Sequence, residues 1–440
     1  MRLLFVLPEY LPDSGGGIIT YYGELLPQLV EAGHSVHVLV ASLPTLGRKS
    51  ETISGVTISY CCPDKVRAAS TGFDRFRTFS PTARAFLPIA WAAWEQASND
   101  DYDLVETTDY ALLFAPWVQE ETRPYSICLH GSLGQISWFD SPGSRSLDHE
   151  LIRSAETSYL GASRSLHTYS RNNQRFWEQS LRKEVALILP ARTLEATKRN
   201  SSSERQPAGL VVGRLQNWKG PKVLCEALTS LKNVTLDWVG HSVVDPENGL
   251  PMDESLKRDY PKVIGESLNL VGPLPYDEVI NRMKRAKFVC VPSTWDVFNL
   301  TAIEALSLGT PLICSESAGA STLIEHGVNG FTYADDSPEG LASCISAVMS
   351  QSPDEREAMV CNGLNTLRAS LNPEQQAAQM VDFYRGLIEK QSMEPPRKEG
   401  WATNLLSPSD EGPNPLHLSQ NLSIKELREI LVLRLKRFLK

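Results

Sequence analysis

Short apolar runs alternate with stretches of helical apolar spacing along most of this chain, and the alternation stops once and then restarts. Leu3 to Leu7 is a strand-length apolar run, followed by a glycine-rich turn. Tyr22, Leu25, Leu26, Leu29 and Val30 then recur at helical spacing until Gly33 stops them, and Val36 to Val40 is the next apolar run. Strand, helix and strand in that order make a βαβ unit, whose fully apolar strands belong in a parallel sheet covered on both faces. Leu104 to Val105, Ser126 to Leu129 and Val185 to Leu189 extend the same sheet.

Residues 191–207 carry no apolar strand but do carry Lys198, Arg199 and Arg205, the composition of an interdomain linker. Beyond it the pattern restarts. Gly209 to Val212, Thr235 to Val239, Leu268 to Val271, Phe288 to Val291 and Leu312 to Cys314 read as strands, separated by helices at Pro221 to Leu231, Tyr276 to Arg285 and Thr301 to Leu308. The expected architecture is therefore α/β, with two Rossmann-like, doubly wound domains, residues 1–190 and 208–370, facing across a cleft. A length of 440 residues agrees, because single cores stop growing at roughly 250 to 300 residues. Open parallel sheets bind ligands beyond the carboxyl ends of their strands, so function belongs to the post-strand loops.

Residues 371–390 form a closing helix, and residues 391–422, rich in Pro, Ser, Gly and charge, read as a flexible linker. At 423–440 Ser423 and Glu426 make a capping box. It opens a basic helix with Ile424, Leu427, Ile430, Leu431, Leu435 and Phe438 at helical spacing.

The net charge of −9 argues against a nucleic-acid partner, which requires a basic face. The eight cysteines form no CxxC pair and sit among apolar neighbours, so they read as reduced core residues. Five apolar residues between Arg2 and Pro8 are too few for a signal or a membrane span, and a cytoplasmic protein is expected. No grouping of His, Cys and carboxylates has metal-ligand spacing, so neither a metal nor another cofactor is expected.

The segment VPSTWDVFNLTAIEALSLGTPLICS carries the strongest chemical signal. A strand ends at Pro292 and a helix starts near Leu300, so unpaired N–H groups and the positive end of the helix dipole face the loop. Asp296, Phe298, Asn299, Leu300, Glu304, Ala305, Gly309 and Pro311 resemble the E-x-F-G-x-x-x-x-E-A-x-x-x-G-x-P pattern of the retaining family 4 glycosyltransferases (glycosyl transferases group 1), of GT-B fold. That resemblance implies that the amides around Leu300 and Thr301 hold a donor diphosphate, with Phe298 and Asn299 also among the donor contacts, that Glu304 takes ribose hydroxyls and that Asp296 contacts the donor sugar. Asp296 stands where the family has Glu, and Asn299 where it has Gly, although Asn tolerates positive φ.

Gly213, Arg214, Leu215, Lys219 and Gly220 resemble the family's GRL-x-x-x-KG element, which implies cations on the departing diphosphate. By the same resemblance Gly15, Gly16 and Gly17 lie over donor phosphates or line the acceptor cleft, and His130, beyond its strand, lies near the donor sugar. Gly319 to Ser321 form a small-residue loop, with Thr322 where the family has a Glu.

The resemblance implies a hexosyltransferase that carries sugar from a nucleotide diphosphate sugar to a glycan, lipid-linked or small-molecule acceptor with retention of configuration. A catalytically weak relative acting as a binding or assembly partner is the alternative, motivated by Asp296, Asn299 and Thr322. Residues 423–440 add the expectation of peripheral contact with the inner face of a membrane.

Overall fold

The computed structural model describes residues 1–13, 16–98, 100–140, 146–194, 208–334, 336–393 and 406–409. Two helix-covered sheets organise them. The first contains β1 (Arg2–Leu7), β2 (Ser35–Val40), β3 (Glu51–Ile53), β4 (Val56–Tyr60), β5 (Leu104–Thr108), β6 (Tyr125–Cys128), β7 (Leu166–Thr168) and β8 (Ala186–Leu187). Their order is β3-β4-β2-β1-β5-β6-β7-β8, parallel except for the antiparallel β3/β4 hairpin. The second contains β9 (Gly209–Val212), β10 (Leu236–Val239), β11 (Leu268–Gly272), β12 (Val289–Val291), β13 (Leu312–Ser315) and β14 (Phe331–Tyr333). It is parallel throughout and ordered β11-β10-β9-β12-β13-β14.

Burial explains the strands. β1 buries Leu3 to Leu7, and Leu3 lies between Val36 of β2 and Leu104 of β5 in register. A strand with a sheet partner on each side and helices on both faces has no use for polar alternation. The helix Gly17–Glu31 buries Ile19, Tyr21, Tyr22, Leu25, Leu26 and Leu29, one stripe laid against that sheet.

The hairpin, β7 and β14 add to the strands read from sequence. β7 is Leu-His-Thr with every side chain buried, so its polar residues hide it from an apolar-run reading. β5 likewise continues through buried Glu106, Thr107 and Thr108 beyond the two apolar residues that mark it.

The last described helix, Pro373–Met393, returns from the second domain to the first. It packs on Gly17–Glu31, Tyr384 donates to Glu106 Oε2 at 2.6 Å, and Gln391 bonds the backbone of Tyr125 on both sides. It runs three residues past the expected end at 390, into the stretch read as a linker. Within that stretch Leu406 is also docked on the first domain, its carbonyl accepting from Trp91 Nε1 at 2.9 Å. All eight cysteines are free, six of them buried. Among the described residues no helix is long and apolar enough to cross a membrane. The expected basic helix at 423–440 lies outside the described residues, as do 195–207 of the linker.

Candidate functional site

Strand order reverses between β1 and β5 in the first sheet and between β9 and β12 in the second. Loops leaving the carboxyl ends of strands at such a switch point are where a doubly wound sheet takes its ligand. Those loops hold Glu9 to Gly16, Asp109 and Tyr110, Gly213 to Lys219, and Pro292 to Asn299. Three of the four carry motif residues singled out from the sequence.

In the loop after β12, Asn299 has φ 71°, the left-handed conformation, and caps the helix Leu300–Ser307 by accepting from Ala302 N at 3.3 Å. Asn is among the few side chains that tolerate this backbone, and its short amide performs the capping as well. Its Nδ2 donates to Asp296 Oδ2 at 2.8 Å. The same oxygen receives Lys219 Nζ at 2.5 Å, and Lys219 also lies 4.2 Å over the ring of Trp218. Gly220, the next residue, has φ 74°, and a Cβ there would fall 1.8 Å from the carbonyl of Pro292. Glycine is thus what lets the Lys219 turn press against the β12 loop, so that two motifs 77 residues apart share one ion pair.

Glu304 sits one turn into the helix, beyond Leu300 and Thr301, whose N–H groups the helix leaves without an internal partner. Burial raises the Glu304 carboxyl above the usual carboxylate range, opposed by the charge of Arg192 and a hydrogen bond from Tyr276, whose hydroxyl is 3.4 Å from Oε1. Arg192 in turn holds Glu24 of the first domain at 3.1 Å. Phe298, expected among the donor contacts, is 2% exposed and packs edge-on against Tyr169 of the first domain with centroids 5.7 Å apart. Its ring fastens the loop to the opposite domain instead of facing the cleft.

A second fastening lies beside it. Trp295 stacks on Phe139 of the first domain, centroids 4.6 Å apart and planes within 5°, and Trp218 meets the same indole edge-on. Asn217 donates to the carbonyl of Asp140 at 3.0 Å. Gly319 packs so closely that a Cβ would lie 2.0 Å from the carbonyl of Val297 and 2.3 Å from Ser170 Oγ. Thr322, standing where a carboxylate was sought, turns its hydroxyl onto the carbonyl of Gly319 at 2.9 Å.

Arg214 follows Gly213 on an exposed turn, and its charge reaches Glu9, Tyr110 and Asp140 of the first domain. Glu9, not singled out from the sequence, accepts from the N–H groups of Ile18 and Ile19 at the start of Gly17–Glu31. Burial lifts its carboxyl, while those N–H groups and Arg214 pull it down. A Cβ on Gly16 would fall 1.6 Å from Glu9 Oε1, so this glycine gives room to a carboxylate of the same chain. Glu9 thereby occupies helix-start amides next to the glycines expected over donor phosphates or along the acceptor cleft. Gly17 is open, with nothing within 4 Å of a Cβ there, and Gly15 lies outside the described residues.

His130 ends the β6 loop with its backbone N–H on Asp109 Oδ1 at 2.8 Å. Nδ1 lies 2.9 Å from the Tyr169 hydroxyl and Nε2 3.4 Å from that of Tyr22. Tyr22 has one proton to give and stands 2.8 Å from Glu106 Oε1, so its oxygen accepts from His130 Nε2 while Tyr169 donates to Nδ1. Burial, with the neighbouring His167, holds the His130 imidazole down to about 3, which keeps it neutral. Both ring nitrogens are turned to tyrosines of the first domain.

Beneath it, three adjacent strands bring Glu106, Cys128 and His167 within 4.8 Å of one another, a grouping that sequence spacing does not show. Tyr22 and Tyr384 occupy the two carboxylate oxygens, and His167 Nδ1 meets Ser126 Oγ at 3.0 Å. The cluster reads as a buried hydrogen-bond hub that ties the returning helix to the sheet.

Residues 194–366 match the family model described as glycosyl transferases group 1. D-inositol 3-phosphate glycosyltransferase of Corynebacterium urealyticum is 22% identical over 405 residues, 85% of this chain and 91% of that protein. Sucrose-phosphate synthase from Thermosynechococcus elongatus superposes with a TM-score of 0.66 at 18% identity, covering 89% of this chain and all of that one. The Anabaena protein Alr3699/HepE, solved in complex with UDP-glucose, gives 0.62 at 18% identity over 88% of this chain and 100% of that one. The two facing doubly wound domains are the GT-B fold.

Proposed function

We propose that this chain, a GT-B glycosyltransferase with a group 1 domain, moves a sugar from a nucleotide diphosphate donor to an acceptor hydroxyl with retention of configuration. One observation carries the reading: the Lys219–Asp296 pair lies at the start of Leu300–Ser307, with Glu304 one turn in and Arg214 exposed on the neighbouring turn. The amides of Leu300 and Thr301 meet the diphosphate, Arg214 grips its oxygens in a fork, Lys219 adds a point charge, and Glu304 accepts the ribose hydroxyls. The UDP-glucose held by the Anabaena protein is a donor of this class.

In the transfer the bond from the sugar's anomeric carbon to the diphosphate breaks as the acceptor oxygen bonds to that carbon. The acceptor proton passes to the departing diphosphate. Charge growing on that diphosphate is met by Arg214, Lys219 and the helix amides, which gives the reaction no need of a metal. Asp296, held by Lys219 and Asn299, orients sugar hydroxyls and serves as no nucleophile. Acceptors enter against the first domain, where Glu9, Tyr110 and Asp140 face Arg214. Residues 423–440 give the chain peripheral contact with an anionic membrane surface, so cosedimentation with anionic vesicles should be lost in a chain ending at Met393, and equal cosedimentation of the two refutes it.

The decisive measurement is a thermal-shift screen of nucleotide sugars followed by assay of donor hydrolysis and transfer. A donor should raise the melting temperature of the wild type and leave that of Lys219→Ala nearly unmoved. Equal shifts in both proteins, or none in either, refute the donor site.

A further inference from the structure

The segment from His130 to Gly134 leaves the carboxyl end of β6 and lies against the opposite domain. A Cβ on Gly131 would fall 3.3 Å from Val297 Cγ2 and 3.5 Å from the ring of Trp295, the two residues that flank Asp296. His130 to Ser132 belong to no helix or strand, so their position has to come from what holds their polar groups. Two buried carboxyls of the first domain do so. Asp109 takes the N–H groups of His130 and Gly131 at 2.8 and 3.1 Å. Glu156, from the helix Leu147–Ala162, takes the Ser132 hydroxyl at 2.6 Å and the Gly134 N–H at 2.9 Å, both on Oε2. A Cβ on Gly134 would fall 2.5 Å from that oxygen and 2.7 Å from Arg153 Cα, so the segment and the helix are in direct contact. Ser132 Oγ also accepts from Gln135 N at 3.1 Å, at the start of the helix Leu133–Asp140. The far end of that helix brings Phe139 to Trp295 and Asp140 to Asn217.

We infer that Glu156 is a positioning residue for the transfer, setting the segment His130–Gly134 and the helix that follows it against the loop that carries Asp296. This rests on the donor-site reading above. Glu156 is 1% exposed, so it reaches the cleft only through the groups it holds. Buried hydrogen-bond networks specify one arrangement of their surroundings, and catalysis is sensitive to that arrangement at the scale of an ångström. Burial pushes the Glu156 carboxyl up to about 8, with the Ser132 hydroxyl opposing and the charge of Asp109 adding to the rise. The carboxyl is therefore protonated at neutral pH. Oε2 accepts both bonds and Oε1 meets no partner among the described residues, so the proton belongs on Oε1. What holds the segment is a neutral acceptor of the right length, and a glutamine can stand in for it.

Turnover and nucleotide binding, both measured on the full chain, separate this role from a merely structural one. Glu156→Ala should lower kcat for sugar transfer by roughly 10²-fold, the effect of about 1 Å of misplacement. Its affinity for UDP, ADP or GDP, whichever the wild type binds, should stay near the wild-type value, because that site lies on the second domain. Glu156→Gln should recover most of the loss, since its amide oxygen accepts from Ser132 and Gly134 in the same way. Ser132→Ala cuts one of the two bonds from the other side and should lose turnover in the same direction, by less; it keeps the test decisive if Glu156→Ala does not fold. Wild-type turnover in Ser132→Ala, a Glu156→Gln no better than Glu156→Ala, or nucleotide affinity that falls in step with turnover each overturns the inference. Lys219→Ala is the control for the underlying reading, since it should lose the nucleotide affinity that Glu156→Ala keeps. If it binds like the wild type, or if the wild type binds none of the three, the donor site falls and this inference with it.

Discussion

Lys219 and Asp296 meet at 2.5 Å, their side chains 18% and 11% exposed, in a cleft where each had been assigned a separate task. Pairing makes those tasks interdependent. Lys219→Ala removes a phosphate cation and also leaves the mostly buried Asp296 without its charge partner. Loss of one preorganised charge-stabilising donor typically costs about 10² to 10³ in turnover, and at least that is expected here. Lys219→Arg should recover part of it, since a cation is restored beside Asp296. Steady-state transfer kinetics of the two variants check this.

Asn299 supplies left-handed backbone, a helix cap and a hold on Asp296 together. Asn299→Gly keeps the backbone and should cost only a few tenths of a kcal/mol from the cap. Asn299→Ala loses the cap and adds the left-handed penalty of about 1–2 kcal/mol, so urea unfolding should rank it clearly below the glycine variant. Both should lower turnover similarly, because both remove the same one of the two holds on Asp296 and leave Lys219 alone on it.

Glu106 gives a pH prediction with a definite sign. Burial pushes its carboxyl up to about 7, against hydrogen bonds from Tyr384 and Tyr22. The folded chain therefore keeps a proton at Glu106 between the ordinary carboxylate range and about 7, where the unfolded chain has lost it. Stability from this group is full below the unfolded value and declines as pH rises through that window. Glu106→Gln has no such decline, so its destabilisation relative to wild type should be larger at pH 5 than at pH 8. Denaturant unfolding at the two pH values measures the difference.

Above about pH 7, where Glu106 is an acceptor-only carboxylate, His130 should carry its hydrogen on Nε2, because Tyr22 spends its proton on Glu106. Nitrogen-15 NMR of histidine-labelled protein, with His130 identified by its loss in His130→Gln, reads the tautomer directly. Tyr22→Phe removes the acceptor of that hydrogen and should bring the second tautomer into view. A wild-type signal already protonated on Nδ1 contradicts the assignment.

Much of the second domain was legible because its strands are apolar and its motifs local. Gly209–Val212 and Tyr276–Arg285 lie where spacing places them, and Asp296 to Glu304 fall on one loop and one helix turn. What escaped was polar and long-range. β7 carries buried His167 and Thr168, so it lacks an apolar signature. Glu9 and Arg192 act through partners distant in sequence, Arg214 and Glu24, and no local spacing announces such pairs. The Phe298 ring shows the same limit, since a motif gives its place in the loop and only the opposite domain decides which way it turns.

The returning helix Pro373–Met393 makes the first domain discontinuous in sequence: its final layer is encoded after the whole of the second. A ribosome therefore delivers the sheet of residues 1–190 long before the segment that covers Tyr22 and satisfies both oxygens of Glu106. Until Tyr384 emerges, that surface is an unfinished face open to chaperones and to aggregation, so co-translational folding of the amino-terminal half alone ends in an intermediate. Split into two polypeptides at the interdomain linker, the halves should reassemble by fragment complementation only when the second retains this helix.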